Sequence, residues 1–220
     1  RDTTPNLDNL AKESLVFDNT FGHSSWTLPE GISIYTGLYP YTHGIMNRYD
    51  GKSLNPGNPS LIDVLNQEGY QTAAFTGGFD YNPKFGLTDR FSHYEECTNS
   101  LNINSGLDFY GELACTVPKA AAWLKNNANS KFFIHLQGYD AHCPFNQLPP
   151  HFYDPNYKGS EDFTSCIWTF AKTEPKIIDG QKYYEVYYSG IGAKKKYMFG
   201  EKDINHLIAI YDEGIKSADK

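Results

Sequence analysis

Three segments repeat one pattern: apolar positions three and four apart, a polar stop, then a short apolar run. In "SLIDVLNQEGYQTAAFTGG", Leu61, Ile62 and Leu65 form a helical stripe, Gly69 supplies the stop, and "QTAAFTGG" reads as a short buried strand. "CTVPKAAAWLKNNANSKFFIHLQGYDAH" follows suit, with a helix through Trp123 and Leu124, an Asn-rich stop and a strand from Phe132 to Leu136. "TPNLDNLAKESLVF" opens on a Thr-Pro cap, places Leu7, Leu10 and Leu15 on one helical face, and runs into the strand-like "LVFDNTF". Helix-then-strand units in series predict an α/β sheet with helices on its faces. Asp140 to Lys202, crowded with Pro, Asn, Gly and Tyr, reads as mostly loop with short elements.

In open α/β sheets, chemistry collects beyond the carboxyl ends of the strands. "GGFDYNPKFG" and "QGYDAHCPF" follow predicted strands directly, and "HSSWTLPEGIS" follows "LVFDNTF". These three loops are therefore expected to meet at one rim.

Composition narrows the function classes. Hydrophobic residues make up 40% and charged residues 20% of the 220 positions, with 14 Phe and 17 Tyr, which excludes a disordered chain. A formal charge of -7 argues against a general nucleic-acid binder, and the short "AKKKY" at Ala193 to Tyr197 reads as a solvated turn. No apolar run approaches the roughly 20 residues that cross a bilayer, so no transmembrane segment is predicted. Cys97, Cys115, Cys143 and Cys166 lack CxxC spacing, which removes a zinc knuckle or redox dithiol. Scattered reduced cysteines are the plainer reading, and up to two disulfides would form in an exported protein. The compartment stays open.

The stretch "HSSWTLPEGISIYTGLYPYTHG" carries the sharpest chemical question. Pro29 favours the first turn of a helix over Glu30 to Tyr35, a hydroxyl residue favours its cap, and Glu30 suits the positive helix end. Thr27 is then a cap or pre-cap. The same position is where backbone N–H groups could hold an anion, which makes Thr27 equally a candidate reacting residue.

Taken together, "TPNLDNLAKESLVFDNTF", "SSWTLPEGISIYTGLYPYTHGI", "GYQTAAFTGGFDYNPKFGLTDRFSHYEE" and "FFIHLQGYDAHCPF" resemble the N-terminal part of a sulfatase, within the alkaline-phosphatase-like superfamily. The likeness covers most of the chain up to Asn146, and "INHLIAIYDEGIKSADK" resembles the helix leading into that family's second metal-binding strand. It implies a three-layer α/β fold, a sheet flanked by helices. On this reading residues 1–220 are a partial N-terminal domain truncated at both ends, with 147–203 an irregular, loop-rich insertion. The family's motif is CxPxR or SxPxR, whose first residue becomes formylglycine on a divalent metal, usually calcium. Here the five matching positions are Thr27, Leu28, Pro29, Glu30 and Gly31. The resemblance therefore assigns Thr27 the nucleophile position and a metal contact, although threonine is not a formylglycine precursor and Gly31 removes the arginine.

"QGYDAHCPF" matches the family's "DPHxPY" loop and places His142 at the sulfate group or leaving oxygen, with Asp140 orienting the loop and Cys143 and Pro144 structural. A "GKWHLG"-like segment would supply a lysine and a histidine to the sulfate. This chain has Gly77 near the first position and Phe79 near the second, and Lys84 reads as a solvated loop residue. His43 is assigned to structure. The family's Asp-Asp and "DHG"-like metal ligands are expected to lie outside residues 1–220, so these residues alone are expected to lack a strong metal site and appreciable catalysis.

The resemblance thus implies a sulfuric ester hydrolase acting, as the full-length enzyme with its divalent cation, on a sulfated small molecule or glycan. Two alternatives stand beside it: a threonine-based phosphodiesterase or phosphotransferase, and a catalytically dead homologue that binds glycans or partners. Many relatives are exported, which sets that expectation for this chain.

Overall fold

The structure, a computed structural model, describes residues 1–97, 113–142, 152–159, 168–170, 174–190 and 193–220. They belong to two units, one of Phe17–Tyr139 and one of Arg1–Val16 with Asp140–Lys220. Helix α1 (Pro5–Ala11) begins at the predicted Thr-Pro step, and the Asp219 carboxylate accepts from the backbone N–H groups of Asn6 and Leu7 at 2.8 and 2.9 Å. The helix ends before Leu15, and the strand predicted over "LVFDNTF" does not form. Alternation makes a strand only where a neighbour offers an edge. No described strand pairs with this segment, and Leu15 and Phe21 are 81% and 84% exposed.

In the unit of residues 17–139, helices α2 (Thr27–Thr36), α3 (Pro40–His43) and α4 (Leu61–Gln67) precede strand β1 (Gln71–Thr76). Strand β2 (His93–Glu96), helix α5 (Leu113–Asn127) and strand β3 (Phe132–Leu136) follow. The predicted helix–strand pairs α4–β1 and α5–β3 are both present. Ser60 and Asp63 cap α4 reciprocally, the Ser60 hydroxyl accepting from Asp63 N–H while the Asp63 carboxylate accepts from Ser60 N–H at 2.9 Å. Gly69, at a φ of 78°, turns the chain out of the helix. Of the predicted stripe, Ile62 is fully buried whereas Leu61 is exposed.

The three strands are parallel in the order β2-β1-β3. Alternation along β1 supplies two faces. Ala74 joins Leu28, Ile32, Tyr35 and Ile62, from α2 and α4, in one apolar cluster. Ala73 and Phe75 join Ala120 and Trp123 of α5 in another. Helices therefore cover both faces, and β1 is buried between them, as the near-continuous apolar run of a parallel strand requires. Because the strands run in parallel, Thr76, Glu96 and Leu136 end at the same edge. Cys97, just beyond β2, is disulfide-bonded to Cys115 of α5, which corrects the reduced-cysteine reading for this pair. Cys143, Pro144 and Cys166 lie outside the described residues.

The other unit contains strands β4 (Trp168–Phe170), β5 (Lys176–Ile178), β6 (Gln181–Gly190) and β7 (Ala193–Phe199), all antiparallel, followed by helix α6 (Glu201–Ala218). The expectation of mostly loop with short elements over Asp140–Lys202 gives way to this four-stranded sheet, and the presumed turn at Ala193–Tyr197 is strand β7. Asp179 and Gly180 both have positive φ, 50° and 77°, which matches the two-residue hairpin joining β5 to β6. Glu185 on β6 accepts from Lys196 of β7 at 2.6 Å and from Lys176 of β5 at 2.9 Å, so opposite charges stitch three strands together. These hydrogen bonds, with one from Tyr187, hold the Glu185 carboxyl down to about 2. Val186, Phe199 and Ile210 form the core between sheet and α6. Among the described residues no helix is long and apolar enough to cross a membrane.

The disulfide spans 18 positions, so removing it restores freedom to the unfolded chain. Reduction, or Cys97→Ser with Cys115→Ser, is expected to destabilise the fold by about 3 kcal/mol. Urea unfolding with and without reductant reads this directly; coincident curves would show that the bond carries no stability.

Candidate functional site at the rim of the parallel sheet

Thr27 is the first residue of α2, and Trp26, extended at φ -118°, is the N-cap without a side-chain cap bond. The cap reading of Thr27 is therefore corrected: it stands one residue inside the helix, and its hydroxyl has no hydrogen-bond partner among the described residues. The helix start is held instead by Glu30. Its carboxylate accepts from the backbone N–H groups of His23 and Ser24, both at 2.7 Å, and thereby fixes the incoming loop. The opposite side of α2 is apolar and anchored, with Leu28, Pro29 and Ile32 buried. His43, assigned to structure, is buried, accepts at Nδ1 from Ile45 N–H and lies 3.2 Å by Nε2 from the Ser33 hydroxyl.

The loop after β1 packs against this helix. At Gly31, where the family motif carries arginine, an added Cβ would lie 3.1 Å from the ring and hydroxyl of Tyr81. Tyr81 thus fills the volume a larger side chain would need. The loop reaches this position through a strained turn. A Cβ on Gly78, at a φ of 77°, would fall 2.6 Å from the Glu96 carboxylate, and Phe79 is itself left-handed at 59°. Gly77 N–H donates to the Gln137 side-chain oxygen at 2.9 Å, and Tyr139 O–H donates to Gly78 O at 3.4 Å. Gln137 and Tyr139, just after β3, thus lie with the loop after β1, which packs on the start of α2, and the segment before α2 arrives without its predicted strand.

Two features of this rim escaped sequence reasoning. Arg48, in the chain after α3, bonds Asp80 at 2.7 Å and lies 3.9 Å over the Phe79 ring and 5.3 Å from the Trp26 ring. It was hidden because nothing local marks an isolated arginine whose partners lie in two other segments. The second is His135 on β3. The Tyr35 hydroxyl and its Nδ1 share a hydrogen bond of 2.6 Å, and its Nε2 is buried without a partner among the described residues. Tyr81 lies beside it with ring centroids 4.7 Å apart. Burial pulls His135 down to about 4. Burial, helped by the charges of Asp80 and Glu30, pushes the Tyr81 phenol up to about 12. Both stay neutral at pH 7.

His142 is exposed in the loop after β3 and belongs, from Asp140 onward, to the other unit. The structure thus gathers Thr27, Arg48 and the loop of residues 77–81 within one unit. Lys84 is exposed, with its ammonium 4.9 Å from the Phe85 ring, in keeping with a solvated lysine. Among the described residues no group of three or more His, Cys, Asp or Glu side chains is arranged to hold a metal ion. Calcium takes about six to eight oxygen ligands, and Thr27 with the described residues does not make such a shell.

Two outcomes follow from this packing. Gly31→Arg is expected to destabilise the fold by about 1–3 kcal/mol through overpacking against Tyr81, with a smaller effect in a Tyr81→Ala background, measured by urea unfolding. Equal losses in both backgrounds would separate the two residues. The unfolded chain protonates His135 near pH 6.5, about 2.5 pH units before the folded one. Its contribution is therefore fully present above about pH 6.5 and declines by about 3 kcal/mol as pH falls towards 4. His135→Phe should flatten that part of the stability–pH curve relative to the unsubstituted chain; parallel curves would contradict the assignment.

The sequence model of the family described as Sulfatase matches residues 1–220. An N-acetylgalactosamine-6-O-sulfatase of Bacteroides thetaiotaomicron is 26% identical over 152 residues, a match covering 64% of this chain and 26% of that protein. An N-acetylglucosamine-6-O-sulfatase of the same organism is 31% identical over 70 residues, 32% of this chain and 12% of that protein. These curated relatives are thus matched over about a quarter of their length or less. With the family match running from the first residue to the last, the chain belongs to the sulfatase family.

Proposed function

We propose that residues 1–220 form part of the catalytic domain of a hydrolase of sulfuric esters with the alkaline-phosphatase-like three-layer architecture. The observation that carries this reading is the full-length family match, together with a Thr27 hydroxyl that is left uncommitted at the sheet rim. In the proposed reaction the Thr27 hydroxyl gives up its proton to solvent and its oxygen bonds to sulfur as the sulfur–oxygen bond to the leaving alcohol breaks. His142 contacts the anion or leaving oxygen and is the group that would donate the departing alcohol its proton. Water then releases sulfate, so the net change is ester plus water to alcohol plus hydrogen sulfate. The two relatives carry the names of 6-O-sulfatases of N-acetylhexosamines, which supports a sulfated glycan as the substrate class. The Cys97–Cys115 disulfide supports an oxidising compartment for the parent protein, and hence export.

A second reading has its own observation. A threonine at position 27 and the absence of a basic residue at Gly31, Gly77 and Phe79 favour unmodified-threonine chemistry on a phosphate ester. The intact parent protein assayed against 6-O-sulfated N-acetylhexosamines, aryl sulfates and phosphodiesters separates the two. In either case Thr27→Ala is expected to reduce kcat by on the order of a thousandfold or more, with Thr27→Ser retaining part of it. Turnover unchanged in a folded Thr27→Ala protein would remove Thr27 from the reaction.

A further inference from the structure

The family's lysine and histidine to the sulfate are missing at Gly77 and Phe79, and its motif arginine is missing at Gly31, where Tyr81 takes the volume. A rim that handles an anionic ester without these cations needs positive charge from elsewhere. Among the basic residues whose surroundings are described in this unit, Arg48 is the one whose charge lies over Phe79. Its guanidinium lies 3.9 Å over the ring of Phe79, the residue standing near the family histidine, and 5.3 Å from Trp26, the neighbour of Thr27.

The bonding of Arg48 differs from that of a structural arginine. Arg90, in the same unit, donates to Gly86 O, Asn58 O, Asn55 O and the Asp63 carboxylate, and its charge is fully engaged in pinning loops. Arg48 makes one hydrogen bond, from Nη2 to Asp80 at 2.7 Å. Of a guanidinium's roughly five N–H donors the remainder, including a buried Nε, have no partner among the described residues. The rings of Phe79, Trp26 and Tyr49, with centroids 3.9, 5.3 and 6.0 Å from its Cζ, and one carboxylate hold the guanidinium, and the side chain keeps 20% of its surface exposed. A fixed, partly desolvated fork of this kind is suited to a tetrahedral oxyanion.

We propose that Arg48 is the anion-binding residue of this rim, contacting the charged oxygens of the ester in place of the cations absent at positions 31, 77 and 79. The inference rests on the reading of Thr27 as the reacting residue for the substrate class, but its test does not depend on turnover. The intact parent protein is melted in sodium sulfate and, separately, sodium phosphate, against sodium chloride at equal ionic strength. The unsubstituted protein and Thr27→Ala are expected to gain thermal stability from the oxyanions. Arg48→Met, which keeps an unbranched side chain against Phe79, is expected to lose that gain, and Arg48→Lys to need about tenfold more anion because a point charge replaces a fork.

Where esterase activity is measurable, Arg48→Met should raise KM about tenfold or more with a smaller effect on kcat. A larger gain in phosphate than in sulfate would keep Arg48 in its role and assign the rim to phosphate esters. An anion response lost in Arg48→Met, with no esterase activity even in the unsubstituted protein, supports the binding role and removes the proposed reaction. A response in Arg48→Met equal to that of the unsubstituted protein overturns the assignment, as does an unsubstituted protein that ignores both oxyanions. If Arg48→Met does not fold, Arg48→Lys with an unaltered anion response has the same force.

Discussion

Strand β1 is hydrogen-bonded along both edges and covered on both faces, and that double confinement fixes nearly everything around it. Ala73, Ala74 and Phe75 have no solvent-facing side, so the residues on each face must match a helix surface, Ala74 that of α2 and α4, Ala73 and Phe75 that of α5. Parallel pairing with β2 and β3 brings all three carboxyl ends to one edge. The chain must then leave β1 through a turn tight enough to clear the Glu96 carboxylate, which is why glycine stands at 78 and why Phe79 accepts a strained conformation. The site is thus a by-product of topology: the loop that bears Phe79, Asp80 and Tyr81 has no other direction in which to go.

The start of α2 shows how one carboxylate changes what a neighbouring hydroxyl can do. A helix N-terminus commonly employs its own hydroxyl residue as a cap. Here Glu30 satisfies the N–H groups of the preceding loop, and Thr27 is not drawn into capping. The same helix accepts the Tyr81 ring because Gly31 has no side chain, so a cation at that position and a close helix–loop contact are mutually exclusive. Charge at the rim then comes from Arg48, held over the Phe79 ring and near that of Trp26.

The elements legible in the sequence are those whose pattern is local. The α4–β1 and α5–β3 pairs, the stop at Gly69 and the loops that follow β1 and β3 all emerge from spacing, because their apolar faces meet partners within the unit. Leu15 to Phe21 carries an equally good apolar pattern without finding a described strand to pair with, so pattern and outcome part there. Strand β2, "HYEE", has no apolar signature at all and exists because β1 offers it an edge. In "KIIDGQKYYEVYYSG" the Asp-Gly step between apolar and tyrosine-rich runs is a hairpin signal in its own right, masked by reading the region through its overall composition. At the site, the position of Thr27 was legible through resemblance, whereas Arg48, Tyr81 and His135 depend on contacts between segments far apart in sequence. No spacing rule reaches them.

The bond between Cys97 and Cys115 also changes what breaking the chain means. A backbone cut anywhere between those two residues yields two polypeptides that remain one covalent molecule, with the piece ending in β2 still tethered to the piece beginning near α5. Since β1 lies on the first piece and β3 on the second, the parallel sheet would keep both halves at high effective concentration through a single sulfur link, and scission there would become separation only once that link is reduced.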